Sequence, residues 1–149
     1  MLAKNDNIGS VSMENILTRI DSIVLEFLTK INPQPKYTIK ELDICKDVRE
    51  SQDWSDWSDN VGVYVFIEEN KKIHYVGRAL RNTLLGARIW AHTQFASYPE
   101  TNEWGRIIRN KNVKIRLYKF SCTNDDYWVA GLELYLIDKF DPIQNDKRG

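Results

Sequence analysis

Three groups of side chains have the types and spacing to do chemistry. Tyr64 and Tyr75 sit in Gly62-Val63-Tyr64 and Tyr75-Val76-Gly77, on two apolar runs, Val61 to Ile67 and Ile73 to Val76, joined by the polar Glu68-Glu69-Asn70-Lys71-Lys72. Glycine inside a strand marks a bulge or the close approach of a ligand or another backbone. Two phenols and two glycines on paired strands therefore line one recess, or the aromatics are there as good strand formers. Glu133 falls on the apolar stripe of the last helical stretch, four after Val129 and three before Leu136. A carboxylate on that face requires a compensating cation or several hydrogen bonds, which a salt bridge to an arginine or a bound metal supplies. Arg88 and His92 are one helical turn apart. A guanidinium there can clamp a phosphate while the imidazole holds or moves a proton, or both are an edge pair with a snorkelled arginine.

The elements that position these groups follow from periodicity. Ile16, Ile20, Ile23, Val24, Phe27, Leu28 and Ile31 predict an amphipathic helix from Met13 to Ile31, with Ser12 as N-cap and Pro33 beyond its end. Its polar face, Arg19, Asp21, Glu26 and Lys30, is mixed in sign, which favours packing on the domain over a membrane-surface role. Residues 1 to 11 are patternless and expected to fray. Tyr37 to Leu42 is a short strand or the start of a short helix. Trp54-Ser55-Asp56-Trp57-Ser58-Asp59 offers stacking faces to nucleobases or forms an aromatic flap on the core. After the predicted hairpin come a basic loop from Arg78 to Thr83, a helix from Leu84 to Phe95 and a short helix from Trp104 to Arg109. A strand with one polar face follows at Val113, Ile115 and Leu117. The last helix opens on a capping box at Thr123 to Asp126 and stops at Asp141-Pro142. The order predicts an α/β (α+β) sandwich. A small mixed or antiparallel sheet of about three strands is flanked by helices, with residues 1–60 packing on a domain at 61–149.

Length suits one domain with a proper core. The net charge of zero conceals a division. Residues 71–120 hold eleven Lys or Arg against Glu100 and Glu103, a basic middle between acidic flanks and a footprint suited to a polyanion. Cys45 and Cys122 follow no metal or redox spacing, so free thiols are expected. The absence of a signal-like start or a bilayer-length apolar run points to a cytoplasmic protein with no membrane partner.

Taken together, these motifs resemble the GIY-YIG nuclease family. The two hairpin tripeptides look like its signature. Glu133, Leu136, Ile137, Pro142 and Asn145 match its C-terminal pattern, Glu-x-x-Leu-Ile-x-x-x-x-Pro-x-x-Asn. Arg88 with His92 is similar to the family's helix arginine and its partner, and Arg78 matches a position that is often basic. The likeness spans roughly residues 61 to 145, and five elements in order are far more specific than either tripeptide alone. A longer loop before Arg88 makes Arg81 a rival for its role, and Arg88 is favoured because only it has His92 a turn later.

The resemblance implies a small α/β fold and hydrolysis of DNA phosphodiester bonds with one divalent cation, Mg²⁺ with Mn²⁺ as substitute. Glu133 would be the metal ligand. Tyr64 would be the candidate base, assisted by Tyr75 or His92. Arg88 would stabilise the transition state, and Arg78, Arg81 and Arg88 would contact DNA. Gly62, Gly77 and Asn145 would support the site. Specificity would come from reading DNA structure such as ends, branches or flaps, from a short sequence read through the domain's own loops or a homodimer, or from a targeting partner. The alternatives are a non-cutting nucleic-acid-binding module and a partner-interaction protein on the same fold.

Overall fold

In the computed structural model residues 12–121 and 127–145 are described. The expected frayed start, Cys122, the Thr123 to Asp126 capping box and the residues after Asn145 lie outside them. Helix α1 is Met13–Leu28, strand β1 Tyr37–Asp43, β2 Val61–Ile67 and β3 Ile73–Ala79. Then follow α2 at Leu84–His92, α3 at Glu103–Ile108, β4 at Lys114–Phe120 and α4 at Tyr127–Phe140. A single π-helical segment, Ile44–Arg49, follows β1 and is started by Asp43, whose carboxylate accepts from the amides of Cys45 and Lys46.

The strands form an open antiparallel sheet in the order β1-β4-β2-β3. Strand β2 is buried along its whole length, because both of its faces are covered. Val61, Val63, Val65 and Ile67 pack with Ile20, Val24 and Leu28 of α1 and Val129, Leu132 and Leu136 of α4. Tyr64 and Phe66 alternate to the opposite face, among Leu85 and Ile89 of α2 and Trp104, Ile107 and Ile108 of α3. The sheet is thus sandwiched between two helical layers, which is the α+β arrangement the sequence predicts.

Several boundaries differ. The sheet has four strands instead of about three, because Tyr37–Asp43 pairs with β4 along its entire length, from Tyr37 opposite Phe120 to Asp43 opposite Lys114. The basic loop starts later than Arg78, since Arg78 pairs with Val63 and Ala79 with Gly62 within the hairpin. Helix α2 stops at His92, short of Phe95. There the Thr93 hydroxyl donates to the carbonyls of Ile89 and Trp90, at 3.0 and 3.1 Å, and the Phe95 ring lies under the guanidinium groups of Arg49 and Arg109. Helix α1 ends three residues before Ile31, and α3 begins one residue before Trp104. In the Trp-Ser-Asp segment, Trp57 is buried in the core with Trp54 against it, rings 5.2 Å apart, so this segment is a packed flap.

Part of the basic middle is met in space by acids that flank it in sequence. Arg116 donates to Asp21 from Nε at 3.2 Å and Nη2 at 2.6 Å, and lies 3.7 Å from Glu41. Lys114 pairs with Asp43 at 3.1 Å and Lys119 with Asp56 at 3.6 Å. Ion pairs thus join Arg116 of β4 to α1 and, within the sheet, Arg116 and Lys114 to β1, while Lys119, on the other face of the strand, reaches Asp56. The Tyr118 hydroxyl also donates to Asp21, at 2.5 Å. Burial, reinforced by that carboxylate, raises the Tyr118 phenol far above its ordinary range, so it remains a donor. Among the described residues no helix is long and apolar enough to cross a membrane.

Asp21→Ala strands the Arg116 guanidinium and the Tyr118 hydroxyl. It is expected to cost about 2 kcal/mol of folding stability in urea titrations. A loss of less than about 0.5 kcal/mol, the size of an ordinary surface change, would show that the α1–β4 network contributes little.

Candidate active site

Strand β3 lies at one end of the sheet, with β2 as its only strand neighbour. An exposed strand edge has unmet backbone donors and acceptors, and here the chain after α4 meets them. The Asn145 amide spans one residue of β3. Its Oδ1 accepts from the Val76 amide and its Nδ2 donates to the Val76 carbonyl, each at 2.9 Å. The Gln144 amide donates to the His74 carbonyl at 2.8 Å. Asp141, with φ 47°, makes the turn that brings this segment back from α4. Val76 lies between Tyr75 and Gly77-Arg78, so the clamp fixes the part of β3 that carries the candidate residues.

On the α1/α4 side of this edge, Arg78 reaches Glu133. The Glu133 carboxylate is buried and accepts a hydrogen bond from Arg78 Nη1 at Oε1. The charge compensation demanded by a carboxylate on an apolar stripe is therefore met by Arg78, one of the two solutions open from the sequence. Glu133 Oε2 accepts no hydrogen bond among the described residues.

On the α2/α3 side, Arg88 and His92 meet as their spacing requires, with Arg88 Nη2 3.4 Å from His92 Nε2. A guanidinium only donates, so Nε2 acts as acceptor in this contact. His92 is buried among aromatic rings, with Tyr75, Tyr64 and Trp104 centroids 4.9, 5.8 and 6.4 Å away. The indole of Trp104 donates to the His92 carbonyl at 2.8 Å and anchors the end of α2. Arg88 pairs with no carboxylate among the described residues, which sets it apart from Arg78 and Arg116.

The two sides converge on a cavity of about 590 Å³ lined by Tyr75, Arg78, Leu80, Asn82, Thr83, Arg88, Glu133 and Asn145. Five candidate residues, from β3, α2, α4 and the chain beyond it, thus share one wall. Three others do not line it. Tyr64 is fully buried behind Tyr75, ring centroids 6.2 Å apart. His92 backs Arg88 and Tyr75. Arg81 is exposed, so of the two rival arginines it is Arg88 that faces the cavity. Leu80, Asn82 and Thr83 were missed because the loop before α2 has no periodic signal. They are held by a tight turn in which the amides of Thr83 and Leu84 donate to the Leu80 carbonyl, at 3.0 and 2.8 Å.

The two signature glycines are required by the protein's own packing. A Cβ on Gly77 would collide with the ring of Tyr64, its cross-strand partner, and one on Gly62 with the Tyr118 carbonyl of β4. Gly77 thereby lets Tyr64 lie flat against β3 and support Tyr75.

Among the described residues no group of three or more His, Cys, Asp or Glu side chains is placed to enclose a metal ion. A hard cation that keeps its waters and takes further oxygens from a phosphate needs only one protein carboxylate. Glu133, on the cavity wall with Oε2 uncommitted, fits that requirement. No protein-family model matches the chain, and no curated protein matches it.

Asn145→Ala removes both bonds to Val76. It is expected to lower stability by about 1–3 kcal/mol and to speed hydrogen exchange at the Val76 amide far more than at β2 amides. Unchanged exchange at Val76 would mean that the amide clamp does not hold this edge.

Proposed function

We propose that this chain is a divalent-metal-dependent endonuclease of the GIY-YIG type, hydrolysing phosphodiester bonds in DNA. The observation that supports this reading most is the convergence of Tyr75, Arg78, Arg88, Glu133 and Asn145 on one polar cavity, from segments up to seventy positions apart in the chain. Packing alone does not require a tyrosine, an arginine without a carboxylate partner and a buried glutamate to face the same space.

A Mg²⁺ or Mn²⁺ ion held by Glu133 would polarise a phosphate oxygen and stabilise the leaving 3′ oxygen. Arg88 binds the scissile phosphate and offsets charge gained in the transition state. His92 takes one of its N–H groups and leaves the rest of the guanidinium fork for phosphate oxygens. Tyr75 is the phenol on the cavity wall, so it orients the attacking water, and in its phenolate form, favoured by neighbouring positive charge, it would take the water's proton at Oη and return to the phenol. Tyr64, read from the sequence as the leading base, supports Tyr75 from behind. Arg78 holds the Glu133 carboxylate in place at the cavity through their ion pair, and Asn145 holds Val76 so that Tyr75 and Arg78 keep their spacing.

One observation favours a second reading. The Arg78–Glu133 ion pair already neutralises the carboxylate, as it would in a nucleic-acid-binding module that does not cut.

Cleavage of supercoiled plasmid, single strands and branched duplex in Mg²⁺, Mn²⁺ and EDTA separates the two. Metal-dependent products are expected from the wild type. They should be abolished in Glu133→Ala and formed at least about 10²-fold more slowly by Arg88→Ala, with both variants folded by circular dichroism. Salt-sensitive DNA binding with no products on any substrate would establish the second reading instead, and near-normal turnover by Glu133→Ala would remove Glu133 from the mechanism.

A further inference from the structure

A second recess, a groove of about 530 Å³, adjoins the candidate active site, and Thr83 lines both. Helix α2 contributes Arg88 to the cavity and Gly86, Ala87 and Trp90 to the groove. Beside Trp90 lies Trp54, from the Trp-Ser-Asp segment, in direct tilted contact with it, ring centroids 5.6 Å apart. Trp57, buried in the core, backs Trp54. Trp90 is 43% exposed, a large aromatic surface left beside a polar, arginine-bearing cavity.

The groove is built in advance of any ligand. The amides of Leu85 and Gly86, which an α-helix leaves without partners in its first turn, donate to the carbonyls of Asn60 and Ser58 at 2.9 Å. These bonds fasten the Trp-Ser-Asp segment to α2 and hold the two indoles in register. Leu84, with φ 67°, takes a conformation unusual for a branched side chain in order to make that junction.

We propose that this groove takes an unpaired nucleobase of the DNA strand whose phosphate occupies the neighbouring cavity, stacked on Trp90. The inference rests on the nuclease reading for the placement of the strand. Two features select a nucleobase: an exposed indole face on Trp90, backed by Trp54, for stacking, and a shared wall with the arginine site that would hold the adjoining phosphate. Bases within a duplex are already stacked, so the groove selects DNA that presents an unpaired nucleotide near the cut, as single strands, flaps and branches do.

The test measures binding by wild-type protein in EDTA, which separates recognition from cleavage. The probes are a short thymidine strand, an abasic strand of the same length and phosphate content, and a matched duplex. The thymidine strand is expected to bind about tenfold or more tightly than the abasic strand and to quench tryptophan fluorescence. Trp90→Ala should bring that ratio close to one, and Trp90→Phe should keep most of it. Equal binding of the two strands, or a ratio unaffected by Trp90→Ala, would overturn the proposal. Glu133-dependent cleavage without any base effect would overturn the groove and leave the nuclease reading intact. Base-dependent binding without cleavage of any DNA would do the reverse. Failure to bind any strand would overturn the groove.

Discussion

One side-chain amide governs the geometry at the end of the sheet. Asn145 meets both the donor and the acceptor of Val76, with the distances of an ordinary strand pairing, and so closes an edge that would otherwise be open. Because β3 is paired on its other side to β2, Val76 is held from both directions. Tyr75 and Arg78, on opposite faces of that strand, cannot move independently of it. The tyrosine thereby stays in contact with the His92 layer and the arginine with Glu133, and the cavity between the two layers keeps its shape. Loss of this clamp would disturb every later relationship in the site, although Asn145 itself makes no charge interaction.

The electrostatics around this edge depend on how the acids are distributed. Four cations of the basic middle, Arg78, Lys114, Arg116 and Lys119, pair with carboxylates from elsewhere in the chain, Glu133, Asp43, Asp21 with Glu41, and Asp56. Arg88, by contrast, lines the cavity with the His92 imidazole beside its guanidinium. A guanidinium satisfied by an imidazole retains its full charge for an anion, whereas one satisfied by a carboxylate does not. In the proposed mechanism that difference separates Arg88, which contacts phosphate, from Arg78, which holds the carboxylate.

Much of this was legible in the sequence, for identifiable reasons. The hairpin, α2 and α4 carry strong periodic signals, and Glu133 and the Arg88–His92 pair were found because they interrupt or share an apolar face. The fourth strand was ambiguous because only Leu42 of β1 is fully buried, so its alternation is faint. The extent of β3 was underestimated because Arg78 looks like a loop residue until its partner Glu133 is seen on α4. Part of the basic middle read from charge density is paired with carboxylates as much as 95 positions away, which no local pattern reports. The ranking of the two tyrosines was likewise hidden, since only the packing of Tyr64 against Gly77 shows which phenol meets the cavity.

The most direct test is a crystal structure of the wild-type protein with a branched DNA and Ca²⁺, a cation that fills oxygen sites and is used here to hold the uncut complex. The account predicts a backbone phosphate against Arg88 at the β3 edge, with the cation on the Glu133 carboxylate beside it. DNA bound on another surface, with the Arg78–Glu133 pair undisturbed and no cation on Glu133, would contradict it.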